Sequence, residues 1–350
     1  MVKLMQEEKN GRRKRLLTLL VTLAINIIIV AVIAVLEFGD DVKNAERVAL
    51  SQLSLWFIAA GVLLFGVAVL TDYLKYSRMI ELSEGRRLPD IALRCGILGK
   101  YYDNITPFGA GGQPFQILFL KKRGLSTGAA SAIPIAAFLS QQIAFVIVAI
   151  VVFLANRDVI ADAPVVRVSA YFGLVMYMIL PVFILLFAVF PKPFEKLMVF
   201  LTHLLGKLRL FKDPEAAKKK VYDTLDEYVG SIRTIIKDPK TVVELMLYSV
   251  IYQLVIMSIP FCMLRGFGGE SSWWTAFSLT VYIYAAITII PTPGNSGAAE
   301  GSFYAVFSSL EGGFLFWAMI LWRVLVYYSW LVLGVIIVAT NTGSKNEIKK

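Results

Sequence analysis

The 350-residue chain is poor in the residues that most often do chemistry. It has two cysteines, one histidine and few charges, with Asp, Glu, Lys and Arg making up 17% of the whole. His203 alone cannot build a His-based zinc site. No nucleophile elbow accompanies it, so no catalytic triad is in sight. Cys95 and Cys262 lie in or beside apolar runs, with no CxxC spacing. They read as small core residues rather than a disulfide or a metal site. There is no Walker-type phosphate loop and no basic, aromatic-studded face. A net charge of +10 therefore does not point to nucleic acid. No cofactor or metal is expected. With no ATP-binding module, active transport would draw on a proton, an ion gradient or another protein.

What the chain has is oil. Hydrophobic residues make up 57% of it, and several runs reach the roughly 20 residues that cross a bilayer. That overrides the prior of two soluble domains for this length. The apolar run after Arg15 is too long for a signal-peptide core and lacks an A-x-A site, so it reads as a first membrane helix. Spans are expected at about 16–38, 53–72, 131–155, 168–190, 243–264 and 314–339. Of the Lys and Arg in the connections, 27 fall on one side and 5 on the other. The rich side is expected to be cytoplasmic, with both termini inside a cell (plasma) membrane.

Two segments break the pattern. "DNITPFGAGGQPFQ" at 103–116 and "IIPTPGNSGAAEGSF" at 289–303 put glycine and proline inside apolar surroundings. Segment 91–120 is flanked by basic connections and 272–310 by poor ones, so each should enter and leave on one side, from opposite faces. Irregular backbone at membrane depth is tolerated only where protein or a wet cavity surrounds it. Paired breaks of opposite entry point to an inverted-repeat transporter. Kinked helices with glycines for close packing are the plainer alternative. The fold class expected is an all-α polytopic membrane protein: one integral domain over 1–350, about six full spans and two opposed re-entrant hairpins. Segment 191–240 is expected to be a cytoplasmic amphipathic connector. There Phe194, Leu197, Met198, Leu201, Leu204, Leu205 and Leu208 share a helical face, either lying on an anionic leaflet or simply solvated on its charged side.

Charge inside the oil marks the candidate site. Arg323 falls roughly 14 Å into the last span, where a charge costs at least about 2.5 kcal/mol. Its expected partner is Glu300 or a substrate phosphate, and a purely structural pair is the rival reading. Glu300 would also stand three residues after a Gly297 cap, as in a capping box. Arg94 could face a cavity or snorkel to the interface, and Lys100 is expected to snorkel. Gly111, Gly112 and Gln113, ahead of Pro114, would leave free amides at a helix start, as would Gly294, Asn295, Ser296 and Gly297. Such ends favour anions. Gln141, Gln142 and Gln253 could line the same cavity or join helices by hydrogen bonds.

At "RCGILGKYYDNITPFGAGGQPFQILFLKKRGLS" and "PTPGNSGAAEGSFYAVF" the chain resembles the lysylphosphatidylglycerol synthase membrane-region family, a flippase-like domain, over about 10–340. Arg94, Gly111, Gly112, Gln113 and Pro114 match one motif; Pro291, Pro293, Gly294, Gly297 and Glu300 match the other. The resemblance implies a membrane part that moves lysyl-phosphatidylglycerol outward, joined in the best-known members to a soluble domain that transfers lysine from lysyl-tRNA. This sequence ends at 350 without such a domain, so lysyl transfer by it alone is not expected. The first reading is thus a flippase or scramblase for anionic or aminoacylated phospholipid. Its headgroup would meet Arg94, Thr106, Gly111, Gly112 and Gln113 at one break, and Pro293, Gly294, Asn295, Ser296, Glu300 and Arg323 at the other. The alternative is the membrane component of phosphatidylglycerol lysyltransferase, acting with a separate aminoacyl- or acyl-transferase. A non-transporting membrane scaffold is a third. The small residues are compatible with a homodimer.

Overall fold

The computed structural model describes residues 53–109, 111–189, 235–288, 290–308, 310 and 315–340. The expected first span at 16–38, most of the 191–240 connector and both termini lie outside these. Every regular element among the described residues is helical.

Helix α1 is Leu55–Glu84. It overruns the expected end at 72, because no glycine or proline falls between 72 and 84 and Met79 and Ile80 keep a buried apolar face. It stops at Gly85, in the left-handed region at φ 70°, whose amide caps the Glu81 carbonyl. Lys75 and Arg78 are therefore helical residues, and not the connection charges the sequence suggested. Helix α2 (Pro89–Ile105) and α3 (Gly112–Arg123) form the first hairpin around a 3-10 turn, Pro107–Gly109. They run antiparallel: Tyr102 stacks on Phe115 with ring centres 3.6 Å apart, and Gln116 Nε2 donates to the Cys95 carbonyl at 2.8 Å.

Helix α4 (Thr127–Ala155) starts at Ser126, whose hydroxyl accepts from the Ala129 amide at 3.1 Å. Helix α5 is Pro164–Val189, and α6 is Pro239–Gly266, with proline in its first turn. The second hairpin is α7 (Trp273–Ile287), a 3-10 turn at Pro293–Asn295, and α8 (Ala298–Phe307). Helix α9 (Leu315–Arg323) runs through a π-helical turn, Val324–Tyr328, into α10 (Ser329–Thr340).

Leu55–Glu84, Thr127–Ala155, Pro239–Gly266 and Leu315–Val338 are long and apolar enough to cross a membrane. Helix α5, at 26 residues, is of similar length. Trp56, Leu63, Leu154 and Val165 are exposed on the outside, as contact with lipid tails requires. This is a polytopic membrane protein. Inside, α1 packs along α6, α5 along α7 and α10 along α2. Gly173 lets α5 approach so closely that an added Cβ would strike the Ala285 carbonyl. The two 3-10 turns touch each other, so the tips of both broken hairpins meet.

Candidate functional site

Arg323 closes the second break. Its Nε lies 2.6 Å from Glu300 Oε1, and its Nη2 donates to the Gly294 carbonyl and the Ser296 hydroxyl, both at 3.2 Å. The other carboxylate oxygen of Glu300 accepts the Gly297 amide at 2.7 Å. Glu300 thereby serves at once as a capping residue and as a counter-ion, and both charges are nearly inaccessible. The π-turn that follows Arg323 brings Tyr327 beneath it, 4.5 Å from guanidinium carbon to ring centre. The Tyr327 ring also fills the space beside Gly294, whose φ is 59° and whose absent Cβ would collide with it.

The first break is closed by its own hairpin. The Thr106 hydroxyl accepts the Gly111 amide at 2.9 Å and donates to the Tyr102 carbonyl at 2.8 Å. Asp103 Oδ1 accepts the Gly112 amide at 2.8 Å. For Gly111 and Gly112 the expectation of free amides is corrected here, because buried donors at a helix start find protein partners. At the second break, the Asn295 and Ser296 amides likewise donate to the Thr292 and Pro293 carbonyls.

Where the tips meet there is a cavity of about 300 Å³. Lys100, Asp103 and Asn104 line it from the first hairpin, Gly294 and Asn295 from the second, and Arg323 from the last helix. Gln141, Gln142 and Gln253 add amides. Tyr177, Tyr252, Tyr284 and Trp322 supply aromatic faces. A smaller cavity, about 50 Å³, adjoins it and shares Lys100, Asp103 and Gln141 in its walls. Around this second space lies a buried charge network. Lys75 Nζ is 2.8 Å from Asp72 Oδ1 and donates to Gln141 Oε1 at 2.7 Å. Lys100 Nζ stands 4.0 Å from Asp72 Oδ2 and 4.5 Å from the centre of the Tyr252 ring.

The eleven residues singled out from the sequence thus separate. Gly294, Asn295 and Arg323 line the large cavity, and Gln113 lines the small one. Thr106, Gly111, Gly112, Pro293, Ser296 and Glu300 build the frame of the breaks. Arg94 lies away from both, held by Asp90 at 2.7 Å one turn earlier on α2. The snorkelling expected of Lys100 is overturned: Asp72 and Tyr252 draw its ammonium inward. Asp72, Lys75 and Asp103 were missed as site residues. The signal for Lys75 was the unbroken helical stretch from 72 to 84, which carries it inside the bundle.

The lining offers cations, amides and aromatic faces, which suits holding a charged group. A family model described as the lysylphosphatidylglycerol synthase TM region matches residues 12–334. The chain belongs to that family. The match spans both broken hairpins and every residue of the two cavities. A search of curated proteins finds no match.

Proposed function

We propose that this member of the family is a flippase or scramblase, moving an anionic or aminoacylated phospholipid such as lysyl-phosphatidylglycerol across the plasma membrane. The headgroup is held where the two helix breaks meet. One observation carries the reading: Lys100 of the first hairpin and Arg323, clamped to the second, share the wall of one cavity. Buried cations are costly in a membrane and mark substrate pathways. The Lys and Arg asymmetry supports cytoplasmic termini.

The test is transbilayer movement in proteoliposomes of headgroup-labelled phosphatidylglycerol and its lysyl derivative. Wild type should move at least one of them, and Arg323→Ala, Glu300→Gln and Lys100→Gln should each slow it by about tenfold or more, the scale of losing one partner of a buried charge contact. No movement above empty vesicles by folded protein would end this reading. The family description favours a second one, a membrane component of lysylphosphatidylglycerol synthesis working with a separate transferase. Co-expression with a soluble lysyl-transferase domain checks it: lysyl-phosphatidylglycerol should form only when both are present.

A further inference from the structure

The charges around the two cavities balance. Asp72, Lys75, Lys100, Asp103 and Arg323 are the charged residues in their walls among the described residues, and Glu300 neutralises Arg323. Three carboxylates meet three cations. An anionic headgroup entering this site brings one unmatched negative charge. Buried charge without compensation is strongly disfavoured, and such groups change protonation state instead. A positive charge must therefore enter with it.

Asp103 is the group placed to receive that charge. It stands in the wall of both cavities, and the Gly112 amide occupies only one of its carboxylate oxygens. The groups that face it are Asp72 and Tyr76 of α1, Lys100 of α2, Tyr177 of α5 and Tyr252 of α6, with Arg323 and Tyr327 across the large cavity. Helix α4 contributes no charged or titratable side chain to the walls, only Gln141 and Gln142 among its polar ones. Arg323 is committed to Glu300, and Lys75 to Asp72. Lys100, 4.0 Å from Asp72 Oδ2 and in the wall of both cavities with Asp103, is the remaining cation whose charge bears on Asp103. A phosphate that pairs with Lys100 takes this counter-charge away and sets a second anion beside Asp103, and like charges favour the neutral acid.

We propose that Asp103 takes up one proton when an anionic phospholipid headgroup enters the cavity and returns it to water when the headgroup leaves. An anionic lipid then moves together with a proton, whereas a zwitterionic headgroup brings its own cation and moves without one. The inference rests on the transporter reading above. No bond in the lipid is made or broken; the proton comes from water and adds to the carboxylate oxygen that does not hold Gly112.

Titration calorimetry of the detergent-purified chain, in buffers of different ionisation heat, tests it with dihexanoyl phosphatidylglycerol and dihexanoyl phosphatidylethanolamine. The wild type should take up about one proton per phosphatidylglycerol and none per phosphatidylethanolamine, with phosphatidylglycerol affinity falling about tenfold per pH unit on the alkaline side. Asp103→Asn keeps an oxygen for the Gly112 amide, and should bind phosphatidylglycerol with no proton uptake and a flat pH profile. Wild-type binding without proton uptake would overturn the proposal. So would uptake that survives Asp103→Asn but vanishes in Asp72→Asn/Lys75→Met, a double variant that keeps the network neutral. Inorganic phosphate separates the sources of the anion: binding tighter than either lipid would make a soluble anion the ligand and overturn the lipid assignment. If neither lipid binds the wild type, this proposal falls, a failure distinct from lipid binding without a proton, while movement of lysyl-phosphatidylglycerol in proteoliposomes decides the transporter reading separately.

Discussion

The two helix breaks are written in similar residues and held in different ways. The first is closed from within. Asp103, in the last turn of the helix that enters, and Thr106, just past its end, take the amides of Gly112 and Gly111 on the far side of the turn. The second adds a clamp from outside to the bonds of its own turn. Its Gly294 carbonyl, Ser296 hydroxyl and Glu300 carboxylate all reach Arg323 on another helix, and Tyr327 presses on Gly294. The first break is therefore a local motif that stands while its hairpin stands. The second depends on α9 staying where it is, so movement of the last helix would alter the cavity wall directly.

The strongest way to break this contrast is Arg323→Ala. It leaves Glu300, 1% exposed, as a buried unpaired charge, and should cost about 3–5 kcal/mol. Denaturant unfolding in detergent would measure it. A loss no larger than that from Thr106→Val would end the claim that the second break depends on a distant clamp.

Gly294→Ala comes next. The added methyl meets the Tyr327 ring and the left-handed backbone strains any side chain, together worth about 3 kcal/mol. Tyr327→Ala in the same chain should recover part of that loss, and a double-mutant cycle reads the coupling directly. Strict additivity would show that the ring is not what limits position 294.

The first break should respond more mildly. Thr106→Val removes the acceptor for one buried amide and should cost about 1 kcal/mol, whereas Asp103→Asn keeps its acceptor and should be close to neutral. Comparable losses from the two would show that the charge of Asp103, and not only its oxygen, closes the turn.

The smallest effect lies away from both breaks, and serves as their control. The Thr241 hydroxyl donates to Asp238 at 2.6 Å, and Arg78 lies 3.1 Å from the same oxygen; these contacts, the hydroxyl first, hold the Asp238 carboxyl below its usual range. A depressed carboxyl stabilises the fold above its unfolded value, about pH 4, and that contribution is lost as pH falls through the lower folded value. Asp238→Asn should therefore flatten the acid side of the thermal-stability profile and leave lipid movement unchanged. An unaltered profile would show that this contact contributes nothing.

How much of this could be read in advance depended on the range of the interaction concerned. The helix breaks were legible because glycine and proline act on their own backbone. Arg323 and Glu300 were legible as a pair because each is an isolated charge in an apolar stretch. The satisfied amides at 111 and 112 were not, since they depend on where Thr106 and Asp103 turn once the hairpin has closed. Lys100 was misread for a related reason. Near the end of an apolar run, a lysine reaches outward or inward according to which neighbours arrive, and Asp72 and Tyr252 belong to other helices. The length of α1 could have been foreseen from the lack of any glycine or proline between 72 and Gly85, and with it the inward place of Lys75.

Hydropathy and helix-breaking residues are properties of near neighbours along the chain. They were enough to make this a polytopic membrane protein with two interrupted hairpins and a buried arginine. The meeting of the two tips, the cavity between them and the charge balance in its walls are of another kind. They join positions from 72 to 330 whose contacts exist only after the helices have packed, and that packing decided which charges face one another.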